Sequence, residues 1–321
     1  MRQSILNTIL SIAVFYPFAA LSARTVSPDP RILSLVSPHA QILSGMRASP
    51  SGGQTDSFLV ITHNNRLDIE DFTAMSGVDS ARSIHEVLFE ATPDENGKLS
   101  THSLLVSGRF NRERIYQSAV SNGATLSQYR GIDLLIVEPF LRERHELGEK
   151  RWLAIPDANV ALFGTVSNVE HELDRYLSHS PVESIFLKPL ARLNGEDETW
   201  SMLLASEASA RTPNALKSME PTLPDLIPLG GTLEFGIRYG SHVVFEYDVS
   251  ASSEADVEST LHSLSRVLSG STSNVSSFLA SPTNRPADGS VHGVVKLSRA
   301  KYDAWLAEIA VRSNGRTASG N

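Results

Sequence analysis

Leu233–Val249 reads LEFGIRYGSHVVFEYDV, and its pattern decides the fold class. Leu233, Phe235, Ile237 and Tyr239 alternate with polar or small residues. Beyond Gly240-Ser241, Val243, Phe245, Tyr247 and Val249 take up the same rhythm. Successive side chains of a strand point to opposite faces, so a period of two on both sides of a short turn predicts an antiparallel hairpin with one buried face.

Downstream, Ser253 and Asp256 form a capping box for a helix whose stripe is Val257, Leu261, Leu264 and Leu268. Ser269–Ser290 reads as a long exposed loop, Val291–Leu297 as the last strand, and Ser298 as the cap of a helix bearing Tyr302, Trp305, Leu306 and Ile309. Upstream, Trp200–Ala205 is a strand and the Pro-rich stretch Pro213–Gly231 is mostly loop.

The first half has the same vocabulary. Arg24–Arg31 is expected to be a mobile lead-in, followed by strands at Ala40–Met46 and Phe58–Thr62 and a helix near Arg66–Met75. A hairpin follows, with arms Ile84–Ala91 and Ser103–Gly108, and then a helix from Asn111. Asp133–Val137 and Trp152–Ile155 are the arms of another hairpin. The strand Val160–Val166 leads into a helix opened by Ser167-Asn168-Val169-Glu170, with Val169, Leu173, Tyr176 and Leu177 as its stripe. The fold class is therefore α+β, with antiparallel strands and packed helices. The order hairpin, helix, strand, helix occurs twice, which predicts two similar units, 32–180 and 181–311, by tandem duplication. The alternative is two α+β domains that share an order by chance.

The N-terminus has the features of an export signal over residues 1–23: Arg2, an apolar stretch from Ile5 to Leu21, and small residues at Ala19, Ala20, Ser22 and Ala23. An uncleaved anchor is the competing reading, but Pro17 and polar interruptions leave the stretch marginal for a span. No later segment is apolar or long enough to cross a membrane, and 312–321 is expected to be a disordered tail. The chain is cysteine-free, which excludes disulfides, thiol catalysis and lipid attachment through cysteine. A net charge of −8, spread along the chain, argues against nucleic acid or an anionic membrane surface as partner.

Motifs for common chemistries are missing: there is no Gly-x-Ser-x-Gly elbow, phosphate-cradling glycine loop or paired-histidine zinc helix. The ten histidines are scattered. His171 and His179 share a helix face and would need a carboxylate such as Asp174 to hold a metal, and no metal or cofactor is expected. The densest polar cluster runs from Thr62 through His63, Asn64, Asn65 and Arg66 to Asp68, Glu70 and Asp71, where a strand hands over to a helix. His63, Asn64 and Arg66 are the candidate ligand-binding residues. Helix capping by Asn65, with acids in the first turn, accounts for the same residues structurally.

Asp29–Met46 (DPRILSLVSPHAQILSGM), Thr62–Phe72 (THNNRLDIEDF) and Arg151–Thr165 (RWLAIPDANVALFGT) resemble uncharacterised exported bacterial proteins. The resemblance implies an envelope or extracellular setting, periplasmic or secreted. The expected function is a non-catalytic binding or envelope scaffold protein, engaging a protein or small molecule. An extracytoplasmic hydrolase with an unfamiliar site is the alternative.

Overall fold

The computed structural model describes residues 27–47, 72–93, 99–137, 150–204, 231–251, 253, 255–258, 283–285 and 290–304. The signal-like stretch 1–23, the expected strand 58–62 and the tail 312–321 lie outside the described residues.

Among the described residues, twelve strands join in one sheet. In chain order they are β1 (Ile42–Arg47), β2 (Ile84–Pro93), β3 (Leu99–Gly108), β4 (Thr125–Tyr129), β5 (Ile132–Val137), β6 (Arg151–Asp157), β7 (Val160–Thr165), β8 (Thr199–Leu204), β9 (Thr232–Tyr239), β10 (His242–Ser250), β11 (Thr283–Arg285) and β12 (Ser290–Ser298). Across the sheet they lie β11-β12-β10-β9-β8-β1-β2-β3-β7-β6-β5-β4, each antiparallel to its neighbours. From the β8–β1 seam outward, the order is β1-β2-β3-β7 on one side and β8-β9-β10-β12 on the other. The antiparallel hairpins expected from alternation are therefore present within an α+β fold.

Helices α1 (Pro30–Leu33), α2 (Ser80–Ser83), α3 (Arg112–Ser121), α4 (Val166–Leu177) and α5 (Ser184–Leu190) accompany the sheet, with further helical turns at 72–76, 255–258 and 299–304. On one face, hereafter the first, Leu43, Leu88, Leu105, Leu162, Trp200 and Met202 pack against residues of α1, α4 and α5. On the second face, Val87, Val106, Leu153 and Phe163 lie under Phe72 and α3. Farther along that face, Leu233, Ile237, Val243 and Tyr247 gather with Tyr302. The helix after β7 thus covers the first face, whereas the helix after β12 covers the second.

At the seam, Gly45 and Trp200 are cross-strand partners, and a Cβ on Gly45 would run into the indole. Glycine there lets the indole lie flat on bare backbone.

Several local expectations are corrected. The lead-in is seated rather than mobile from residue 27 onward. Asp29 accepts the Arg31 N–H at 3.0 Å and caps α1, Pro30 occupies a first-turn position, and the Asp29 N–H donates to Glu86 Oε2 at 2.6 Å. Ser167 is not the cap of α4: the chain passes from β7 straight into the helix at Val166, with Thr165 as N-cap and no side-chain cap bond. Helix α5 was not expected, because it is short and carries Pro189; burial of Phe186 and Leu190 holds it in place. Strand β4 was missed because TLSQY has no apolar alternation, and its pairing with β5 defines it instead. Strand β11 interrupts the stretch read as a continuous loop.

Candidate functional site

The opening hairpin carries the site on the positions that the apolar reading passed over. Leu233, Ile237, Val243 and Tyr247 face the second face, so Thr232, Glu234, Gly236 and Arg238 of β9 and Glu246, Asp248 and Ser250 of β10 must face the first. His292 of β12 is registered opposite Asp248 and joins them. The segment following α5 brings Arg192, Asn194 and Asp197 over this part of the sheet.

These groups form two adjoining polar clusters, one around Arg192 and Glu234 and the other around Glu246. Arg192 Nη1 donates to Glu234 Oε1 at 2.8 Å, to Ser250 Oγ at 3.0 Å and to Thr232 Oγ1 at 3.1 Å. The Thr232 hydroxyl donates to the same Glu234 oxygen at 2.7 Å. His292 stands between two carboxylates, with Nδ1 3.1 Å from Asp248 Oδ2 and Nε2 3.5 Å from Glu246 Oε1. Glu246 Oε2 accepts from Arg238 Nη2 at 3.1 Å and from Asn194 Nδ2 at 3.4 Å. Arg238 Nε then faces Asp197 Oδ1 at 3.7 Å. A Cβ on Gly236 would collide with the Asp197 carboxyl, so glycine is what allows that carboxyl to lie against the sheet.

The network is deeply placed. The Glu234 and Asp197 side chains are fully buried, and Arg192 is 10% exposed. Burial pushes Asp197 up to about 7, against the lowering pull of Arg238. Burial also raises Glu234, opposed by hydrogen bonds from Thr232 and Arg192 and by the charge of Arg192. Both ring nitrogens of His292 point at carboxylates, so the imidazole has no lone pair aimed at an open position. The arrangement can hold charge and store protons. At the Arg238 end it opens on a shallow depression of about 330 Å³, bordered by Glu196, Glu198, Tyr239, His242 and Lys296. That volume is at the small end for ligand pockets, and its rim offers polar contacts of both signs.

The expected ligand-binding residues His63, Asn64 and Arg66 lie outside the described residues. Asp174, weighed as a third ligand beside His171 and His179, is instead engaged by Tyr129 Oη and by Arg130 Nε, each at 3.2 Å. Among the described residues, no group of three or more His, Asp or Glu side chains is arranged to hold a metal. The network itself was missed because charged alternates in a hairpin normally face water. The available signal was charge of both signs at neighbouring alternate positions: Glu234 and Arg238 on one arm, Glu246 and Asp248 on the other.

No family model matches this chain, and no curated protein matches it. A solved structure, crystal form I of TP0453, is similar with a TM-score of 0.47 at 13% identity, over 88% of this chain and 98% of that one. No functional reading rests on that likeness.

Proposed function

We propose that this chain acts outside the cytoplasm as a non-catalytic binding or envelope scaffold protein. One observation carries the reading: in the densest set of ionisable groups on the described sheet, Arg192, Arg238 and His292 each face carboxylates within the network. Groups engaged with one another are committed to holding the sheet and its covering segment together, whereas a general acid or base must present its proton to a substrate. The signal-like residues 1–23 and the resemblance to exported proteins support the setting. The matching order of the first four strands outward from the seam, β1-β2-β3-β7 and β8-β9-β10-β12, supports descent of the halves from a tandem duplication. An experimental structure placing β12 anywhere but beside β10 would remove that support.

Native mass spectrometry on protein recovered from its own host's envelope fraction tests the function. A co-purifying protein or a defined oligomer is the expected result. A monomer that turns over a generic ester or peptide library, with the activity abolished by His292→Gln, would overturn it. The same spectrum reads the N-terminal mass, and a full-length Met1 species would refute cleavage of the signal.

A further inference from the structure

A second set of buried acids lies on the first face, where α4 lies over β3, next to β2. Glu90 of β2 and Glu172 of α4 are 2% and 0% exposed, and Ser103 of β3 lies beside them at 1%. Glu90 Oε2 accepts the Ser37 N–H at 2.7 Å. Neither Glu172 oxygen accepts a hydrogen bond among the described residues. The Ser103 hydroxyl acts on both carboxyls but stands short of hydrogen-bond geometry with either.

The donor count decides the charge state. Two carboxyls present four oxygens, and the donors at hand among the described residues are one backbone N–H and one hydroxyl, which has a single proton to give. The nearest cation is already committed. Arg175 donates through Nε to the Ser34 carbonyl and through Nη2 to the Pro181 carbonyl, and its Nη1 pairs with Glu183 Oε1, each at 2.9 Å. Two carboxylates buried side by side with so few donors are unstable as a dianion, so protons must supply what donors do not.

The charged groups of the surrounding elements do not relieve the pair. On β2, Glu86 is another acid, bound by the Asp29 N–H with Arg47 3.7 Å away. On α4, Asp174 is taken by Tyr129 and Arg130, and His171 is exposed. On the segment after α1, His39 is exposed, and on α5, Lys188 is exposed. Glu183 is held by Arg175.

We propose that the Glu90–Glu172 pair is a proton-locked latch that fastens α4 to the first face and releases it when the pair ionises. Release would uncover the apolar residues that α4 shields, among them Leu88, Leu105 and Leu162, together with Val169 and Leu173 of the helix itself. The latch is a conformational device, and it stands whether or not the binding function does. Burial raises Glu90 to about 7, and burial together with the charge of Glu90 raises Glu172 well above the usual carboxylate range, so the latch loosens on the alkaline side of neutrality.

The test is amide hydrogen exchange on the whole mature protein between about pH 6 and about pH 9, corrected for the intrinsic rate. Protection in Val166–Leu177 is expected to fall at least about tenfold across that range, while Thr199–Leu204 stays within about twofold. Glu172→Gln, which cannot ionise, is expected to flatten the α4 response. If that variant fails to fold, the infrared band of protonated carboxyl groups in the wild-type protein decides instead. A band lost over the same pH range supports the latch, and a band absent at about pH 6 overturns it. Equal loss of protection across α4 and β8, or none in either, also overturns it.

Discussion

The two halves of the sheet agree in the order of the first four strands outward from the seam and treat their first face in opposite ways. In the half built on β1-β2-β3-β7, the helix after β7 returns over the first face, making it apolar and sealing Glu90 and Glu172 beneath it. In the half built on β8-β9-β10-β12, the helix after β12 lies on the second face, where Tyr302 meets Tyr239 and Phe245. Its first face is covered by the Arg192–Asp197 segment and filled with an ion-pair network. The comparison teaches that a sheet does not by itself decide how buried acids are neutralised. A close-packed helix leaves little room for counter-ions and drives carboxyls to keep their protons, whereas an irregular segment can bring arginines alongside.

The largest expected effect sets both halves against solution pH. Glu86, Glu90 and Asp197 are raised to about 7, Glu172 well above its ordinary value, and Glu234 in the same direction, all principally by burial. A carboxyl whose folded value exceeds its unfolded one holds a proton that the unfolded chain has released. Its stabilising contribution is complete below the unfolded value and is lost as pH rises through about 7. Calorimetric unfolding temperatures should therefore fall steadily from about pH 5 to about pH 8. Glu172→Gln should flatten that slope more than Glu234→Gln, because Glu234 already has Arg192. Equal flattening by the two would break the comparison.

Next in size is the loss of a counter-ion. Arg192→Ala strands Glu234 in a fully buried position and should cost about 3–5 kcal/mol in urea denaturation. Replacing both by apolar residues, Arg192→Met with Glu234→Leu, should recover most of that loss. A single-variant cost under about 1 kcal/mol would mean that the network is more hydrated than its burial indicates. Smaller again is Gly236→Ala, which forces the Asp197 carboxyl off the sheet and should cost about 1–3 kcal/mol by the same measurement. The smallest is a control: Arg82→Ala removes the exposed 3.4 Å pair with Asp79 and should change stability by less than about 0.5 kcal/mol.

The hairpins of this fold were legible because apolar alternation reports strand and register together. Leu233 to Val249 and Ile84 to Gly108 both pair as the pattern predicts. The buried acids were not legible, because alternation says only that two faces differ, not that the polar one is open to water. Covering the polar face of β9 and β10 is the work of Arg192–Asp197, a stretch with no periodicity of its own. Glu172 did leave a trace: it falls between Val169 and Leu173, inside the apolar stripe of α4, so its position announced burial that its chemistry denied. The change of face by the last helix was not legible, since a helix stripe is apolar on whichever side it packs.

The seam between the halves has a consequence in time. Ile42 pairs with Ala91 on one side and with Leu203 on the other, so the middle strand of the sheet is synthesised first and completed late. Pairing across so long a stretch of chain is slow, because the loop must close before any contact rewards it. Until Thr199–Leu204 arrives, one side of β1 is an open edge able to recruit a stray strand. Trp200 settling onto Gly45 closes that edge.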